Sequence, residues 1–326
     1  MGSAYAACML CPNACGVNRL KGQIGRCGER DAMRIAWSGL HRGEEPPVTG
    51  RKGSGMIFFC GCPLHCAFCQ NHQISGETSS TAASVGIEIS IEELSDLMLA
   101  LQRMGANNIN FVTGTHFIPS ICASLDLARK KGMHLPIVWN TSGYESQVGL
   151  QLINPYVDLY LIDLKTLSHT VAARFCGLAR YADIIKDVFG FLMKNCKPYK
   201  ETGPYDTPTG LLVRHLVFPG TLRQTRRVLR YFVDSGLSKV AELSLMVQFV
   251  APRPDDPDFP PMSEGEYTSL LDMADEAGIE DGYIQELGDD IQWIPDFRKD
   301  VPFPVSFCDP NPLFLELKHQ RVDETV

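Results

Sequence analysis

Eight of the twelve cysteines in this 326-residue chain fall within its first 69 residues: Cys8, Cys11, Cys15, Cys27, Cys60, Cys62, Cys66 and Cys69. Residues 1–50 lack long apolar periodicity and place Gly16, Gly22, Gly25 and Gly28 among these cysteines. A segment so short cannot close a core of its own and needs a staple. The compartment decides which kind. Met1 to Leu10 shows neither the charged n-region nor the apolar h-region of a secretory signal. No apolar run approaches the ~20 residues that span a bilayer, and Ala6 stands where myristoylation requires Ser or Thr. A cytoplasmic protein is expected, and there clustered cysteines bind metal or do redox chemistry rather than form disulfides. Cys122, Cys176, Cys196 and Cys308 stand singly and read as small buried hydrophobes.

Beyond Pro46-Pro47, Gly50, Gly53 and Gly55, which read as a linker, the texture changes. Short, partly β-branched apolar runs appear at Met56–Cys60, Asn108–Thr113, Pro136–Asn140, Val157–Leu164, Leu211–Phe218 and Leu243–Val250, as in buried strands. Helical patterns lie between and after them: Ser90 with Glu93 forms a capping box ahead of a helix to Met104, and others cover Pro119–Lys131, Ala182–Asn195, Leu222–Ser235 and Ser263–Ala277. Gly132, Gly236 and Gly278 stand at helix stops. Strand–helix alternation with continuous apolar strands predicts a parallel sheet with helices outside. The six units predict an α/β fold, an incomplete (βα)6 TIM-like barrel, with chemistry at the C-terminal ends of the strands. The expected domains are a Cys-rich segment at 1–50, the partial barrel at 51–290, and a tail at 291–326 packed on it. Thirty Lys and Arg against 38 Asp and Glu leave a net charge of -8. That argues against a general nucleic-acid binder, which would show a basic stripe.

Directly after the first predicted strand comes Cys62-Pro-Leu-His-Cys66-Ala-Phe-Cys69, a C-x3-C-x2-C loop. Three thiolates there can hold three corners of a 4Fe–4S cubane and leave the fourth iron open. The competing reading is a zinc knuckle, with Cys60, His65 or His72 as fourth ligand. Four further stretches end predicted strands or loops: Cys69-Gln70-Asn71, Asn140-Thr141-Ser142-Gly143, Leu161-Ile162-Asp163-Leu164-Lys165 and Arg214-His215-Leu216-Val217-Phe218-Pro219-Gly220.

With these motifs the chain resembles the radical S-adenosylmethionine (SAM) superfamily. It is similar in particular to the pyruvate formate-lyase activating enzymes and their uncharacterised homologues with a Cys-rich N-terminus. The resemblance spans nearly the whole chain. It implies that the open iron chelates SAM, that an electron from the cluster breaks the C5′–S bond, and that the 5′-deoxyadenosyl radical abstracts hydrogen from a substrate. By position, Phe68 would lie near the adenine. Asn140, Ser142, Lys165 and Arg214 or His215 would contact the ribose or the methionine carboxylate, where a positive side chain suits an anion. Asp163 with Thr141 would help hold a monovalent cation, although Asn140 supplies one negative charge fewer than the family's Asp. One departure concerns the Gly-Gly-Glu that usually binds the SAM amino group. Here the strand ends Thr113-Gly114-Thr115-His116. Gly114 still allows close backbone approach and Thr115 can hydrogen-bond. His116 reads equally as a proton donor or as a satisfied helix-capping histidine.

Cys8-x2-Cys11-x3-Cys15-x11-Cys27 offers four thiolates. They could hold a second iron–sulfur cluster, hold a zinc, or stay reduced and idle; spacing does not separate iron from zinc. Cys60 is expected to pack under the first cluster. The resemblance implies a flavodoxin or ferredoxin as reductant, and a protein, peptide or small molecule as substrate, glycyl-radical-enzyme activation included. The contrasting reading is a non-catalytic iron–sulfur or zinc protein, an electron carrier or binding module.

Overall fold

The computed structural model describes residues 2–76, 85–249, 260–288 and 294–323. The predicted strand end at Val250 and the predicted boundary at 290/291 lie outside them. Among the described residues, ten strands form one open sheet in the order β10-β1-β2-β4-β5-β6-β7-β8-β9, with β3 on the outer edge of β1.

The six predicted strands are β2 (Ser54–Phe59), β4 (Ile109–Val112), β5 (Ile137–Thr141), β6 (Leu159–Asp163), β7 (Gly210–Leu216) and β8 (Ala241–Met246). All run parallel. Their residues are almost entirely buried, as strands covered on both faces must be. The two-residue β9 (Tyr283–Ile284) extends the parallel run beyond β8. Helices α1 (Ile91–Met104), α2 (Ile118–Lys130), α3 (Gln147–Ile153), α4 (His169–Cys176), α5 (Tyr181–Asn195), α6 (Leu222–Asp234) and α7 (Glu264–Glu276) follow the strands in alternation. The capping box at Ser90 and Glu93 is formed, and a second one at Ser263 and Glu266 opens α7. The sheet does not close on itself, so the fold is a partial TIM-like barrel.

Three antiparallel strands complete the sheet. β1 (Met33–His41) pairs along one edge with β2, and along the other with β3 (Ile87–Ile89) and β10 (Cys308–Pro310). β1 lies inside the segment expected to stand apart at 1–50 and carries Trp37, fully buried against Phe58 and Phe303. The expected linker is also structured. Pro46–Thr49 is a single helical turn that inserts Val48 among Val138, Leu159, Leu161 and Leu212 inside the barrel. The Val48 carbonyl accepts from the Asn108 amide at 2.7 Å. Beyond residue 293, Phe297 and Phe303 pack on Phe58, and α8 (Pro312–Asp323) follows β10.

Candidate functional site

The strand C-termini open into a cavity of about 570 Å³. Its walls bring together Cys62, Cys66, Cys69, Phe68, Asn140, Ser142, Asp163, Lys165 and Arg214. The cysteines arrive on the loop after β2. Gly61 begins that loop at φ +81°, where a Cβ would stand 2.5 Å from Glu29 Cγ and 2.6 Å from the Cys27 carbonyl, so only glycine lets the loop seat on the N-terminal segment. Burial pushes the Cys62 thiol up to about 12 and the Cys69 thiol up to about 11, with neighbouring cysteines adding to both. Cys66 is raised first by a hydrogen bond with Cys176, then by burial. Such thiols become thiolates only against a cation, as metal ligands do. Ser75 donates to Cys69 Sγ at 3.1 Å. Among the described residues no three Cys, His, Asp or Glu side chains close around a single ion. A cubane spreads its ligand sulfurs wider than one ion does, and three thiols in an eight-residue span facing a cavity can hold three of its corners and leave the fourth open to that cavity.

Lys165 Nζ sits 2.5 Å from Asp163 Oδ2 and 5.4 Å from the centre of the Phe68 ring. Burial pulls its ammonium down, but Asp163 and the Cys66 thiol outweigh that and hold it well above its ordinary value. Phe68 joins Phe175, Phe218, Phe249 and Cys176 in a small apolar cluster beside the cysteines. Cys176 is thus buried as the sequence predicts, but against Cys66. Tyr181, at the start of α5, clamps two strand ends. Its hydroxyl lies 3.1 Å from the Ser142 carbonyl and 2.8 Å from the Asp163 carbonyl, and it accepts from the Lys165 amide at 3.1 Å. Gly143, at φ +72°, passes so close to α5 that a Cβ would stand 2.3 Å from Ile185 Cδ1.

The pleat separates Arg214 from His215. Side chains alternate across a strand, so Arg214 faces the cavity and His215 the helix layer. His215 is bonded to the Leu164 carbonyl at 2.7 Å and to Thr225 Oγ1 at 3.1 Å. Burial pushes its imidazole down to about 4, so it is neutral at pH 7. Arg214 does line the cavity, but its guanidinium is engaged by Glu44 and Glu45, with Nε donating to Glu45 Oε1 at 2.8 Å. Burial would raise Glu45; Arg214 outweighs it and holds the carboxylate low.

Gly114 and Thr115 do not line the cavity. Thr113, a β-branched residue at φ 58°, turns the chain away as β4 ends. A Cβ on Gly114 would meet Ile121 and Trp139. The Thr115 hydroxyl donates to Glu145 Oε1 at 2.8 Å. His116 is buried, its Nε2 donating to the Cys60 carbonyl at 2.6 Å, and burial pushes it down to about 3. Of its two sequence readings, the structure places it as the packed histidine. Cys60 is buried at the end of β2, off the cavity, where Cβ on Gly86 would stand 2.2 Å from its sulfur. Glu145, unmarked by any motif, also accepts from Thr141 and, at 3.3 Å, from Trp139 Nε1. Thr141 and Asp163, the expected cation ligands, therefore have Glu145 and Lys165 as partners.

Residues 56–197 match the family model of the radical SAM superfamily. This segment is similar to radical SAM domains. That family implies a 4Fe–4S cluster and SAM as cofactors. An uncharacterized protein of Methanocaldococcus jannaschii is 29% identical over 248 residues, 75% of this chain and 66% of its own length, a little under two thirds. Among solved structures, a domain of pyruvate-formate lyase-activating enzyme from Bacteroides vulgatus is similar at 15% identity and a TM-score of 0.37, covering 52% of this chain and 91% of that one. SuiB of Streptococcus suis, bound to S-adenosylmethionine, is similar at 8% identity and a TM-score of 0.41, covering 69% and 45%. Among the described residues, no helix is long and apolar enough to cross a membrane.

Proposed function

We propose that this chain cleaves SAM reductively at a 4Fe–4S cluster held by Cys62, Cys66 and Cys69. The observation that carries this is convergence: the three thiols, Phe68, Asn140, Ser142, Asp163 and Lys165 come from three separate stretches of sequence and share one cavity of about 570 Å³, within the range of small-molecule sites. An electron carrier or a structural zinc site needs no such space. When bound and reduced, the cluster would supply the electron that breaks the C5′–S bond, yielding a radical that abstracts hydrogen from substrate.

The chain's own residues would do the rest. Phe68, wedged against Phe218 at 4.8 Å, offers an aromatic surface for the adenine. Asn140 and Ser142 present polar groups to the ribose. Lys165, charged and beside the cysteines, suits the methionine carboxylate. Arg214 belongs to the wall, since two carboxylates already hold it. A sheet that does not close on itself suits a protein loop or peptide entering from the side, so an activating-enzyme role on a partner protein is the favoured substrate class, with a flavodoxin- or ferredoxin-type reductant. The N-terminal thiols would bind a metal of their own.

The test is electron paramagnetic resonance on the anaerobically reconstituted, reduced protein. Adding SAM changes the spectrum if SAM chelates the open iron. An unchanged spectrum at saturating SAM refutes the reading.

A further inference from the structure

Cys8, Cys11, Cys15 and Cys27 sit on irregular backbone that bends around each of them. The Cys8 amide donates to the Val17 carbonyl and the Gly16 amide returns to the Cys8 carbonyl, both at 3.0 Å. Ala14 donates to the Cys11 carbonyl at 3.0 Å, and a turn from Gly25 to Gly28 carries Cys27. The two halves meet at Gly25, where a Cβ would stand 3.1 Å from Cys15 Sγ. Cys8, Cys11 and Cys27 are buried and Cys15 is exposed.

Beside them lies Arg19, fully buried. Its guanidinium stacks 4.8 Å from the Tyr5 ring and 5.3 Å from the Phe117 ring. It donates to the carbonyls of His116 and Arg30, and its Nε has no partner. No carboxylate pairs with it among the described residues; Glu29 is taken by Arg34 at 2.9 Å. Burial raises the Glu29 carboxyl to about 7 and Arg34 binds it, so although it lies within electrostatic reach of Arg19 it balances that buried cation only in part, which is costly. Arg19 lies within electrostatic reach of Cys27, and an anionic centre of metal and four thiolates would complete its neutralisation.

The segment also carries the cysteine loop of the first site. The Cys62 amide donates to the Cys27 carbonyl at 3.2 Å. His65 Nε2 donates to the Arg26 carbonyl at 2.7 Å, and Asn13 Nδ2 to the Pro63 carbonyl at 2.9 Å. Cys27 and Cys62 are thereby joined through covalent bonds and a single hydrogen bond.

We propose that Cys8, Cys11, Cys15 and Cys27 hold a second iron–sulfur cluster, counter-charged by Arg19, which passes electrons to the first site through the contact between Cys27 and Cys62. The relay rests on the reading above that Cys62, Cys66 and Cys69 hold the SAM-cleaving cluster. The second cluster would take one electron from a low-potential flavodoxin- or ferredoxin-class donor on the exposed Cys15 side and would supply it to the first. No bond is made or broken in the transfer.

The experiment uses the full chain, reconstituted anaerobically with iron and sulfide, as wild type and as a Cys62→Ala/Cys66→Ala/Cys69→Ala variant. The variant is expected to keep about four irons and matching sulfide, with a cluster signal on reduction. Zinc or no metal in a folded variant overturns the proposal, whatever the fate of the first site. If the variant does not fold, the wild type decides: about eight irons per chain support two clusters, and about four irons with one zinc overturn them. Electronic contact is read in the fully reduced wild type, where spin coupling between the clusters is expected; a spectrum equal to that of two isolated clusters overturns the relay. Arg19→Gln should shift the second cluster's potential to more negative values, and an unchanged potential overturns the counter-charge.

Discussion

Replacing Arg214 with methionine separates two roles for a residue that sequence alone assigns to SAM. In the structure the Arg214 side chain is 12% exposed and those of Glu44 and Glu45 are 7% exposed. Arg214→Met keeps most of the volume and leaves two carboxylates facing each other without a cation in the cavity wall. Breaking a buried ion pair by removing one partner costs about 3–5 kcal/mol, because the remaining charge is uncompensated. The loss should be read in urea denaturation of the metal-free protein. Adding Glu44→Gln and Glu45→Gln to the same chain removes the stranded charges and should recover the stability to within about 2 kcal/mol of wild type. A single variant as stable as wild type, with SAM affinity reduced tenfold or more by calorimetry, would refute the reasoning and return Arg214 to the ligand.

Tyr181→Phe leaves the buried Lys165 amide and one strand-end carbonyl unpaired, so it should destabilise by about 2–4 kcal/mol and weaken SAM binding by loosening Ser142 and Lys165; equal denaturation midpoints would contradict this. His41, His116 and His215 all have imidazoles held below 6.5 by burial. The unfolded chain therefore binds more protons as pH falls, and stability present above pH 6.5 is lost toward pH 4. His215 falls from 6.5 to about 4, which is worth about 3 kcal/mol at about 1.4 kcal/mol per unit. His215→Asn should flatten the stability profile between those pH values, and an unchanged slope would show that its imidazole titrates normally.

The parallel strands and their helices were legible because their signals are local. The capping box at Ser90 and the continuous apolar runs of β5 and β6 need no distant partner to be recognised. β1 was not legible. Ser38 and Gly39 break its apolar run, and its partners include Pro310 at the other end of the chain. The same distance hid the ion pairs of Arg214 with Glu44, 170 positions away, in a stretch that reads as a linker. Motif position placed Asn140, Ser142, Asp163 and Lys165 at the cavity. It failed at Gly114 and Thr115 because the positive φ of Thr113 re-aims everything after it. Arg19 carries no sequence mark of its burial.

The most direct measurement is 5′-deoxyadenosine formed anaerobically from SAM and dithionite, with iron counted on the same samples, for the wild type and for Cys62→Ala, Cys66→Ala and Cys69→Ala singly. Product from the wild type and none from any of the three variants is the predicted result, because a site-differentiated cluster needs all three thiolates. Product from any one variant, or none from a wild type that carries its cluster and binds SAM, would contradict the assignment.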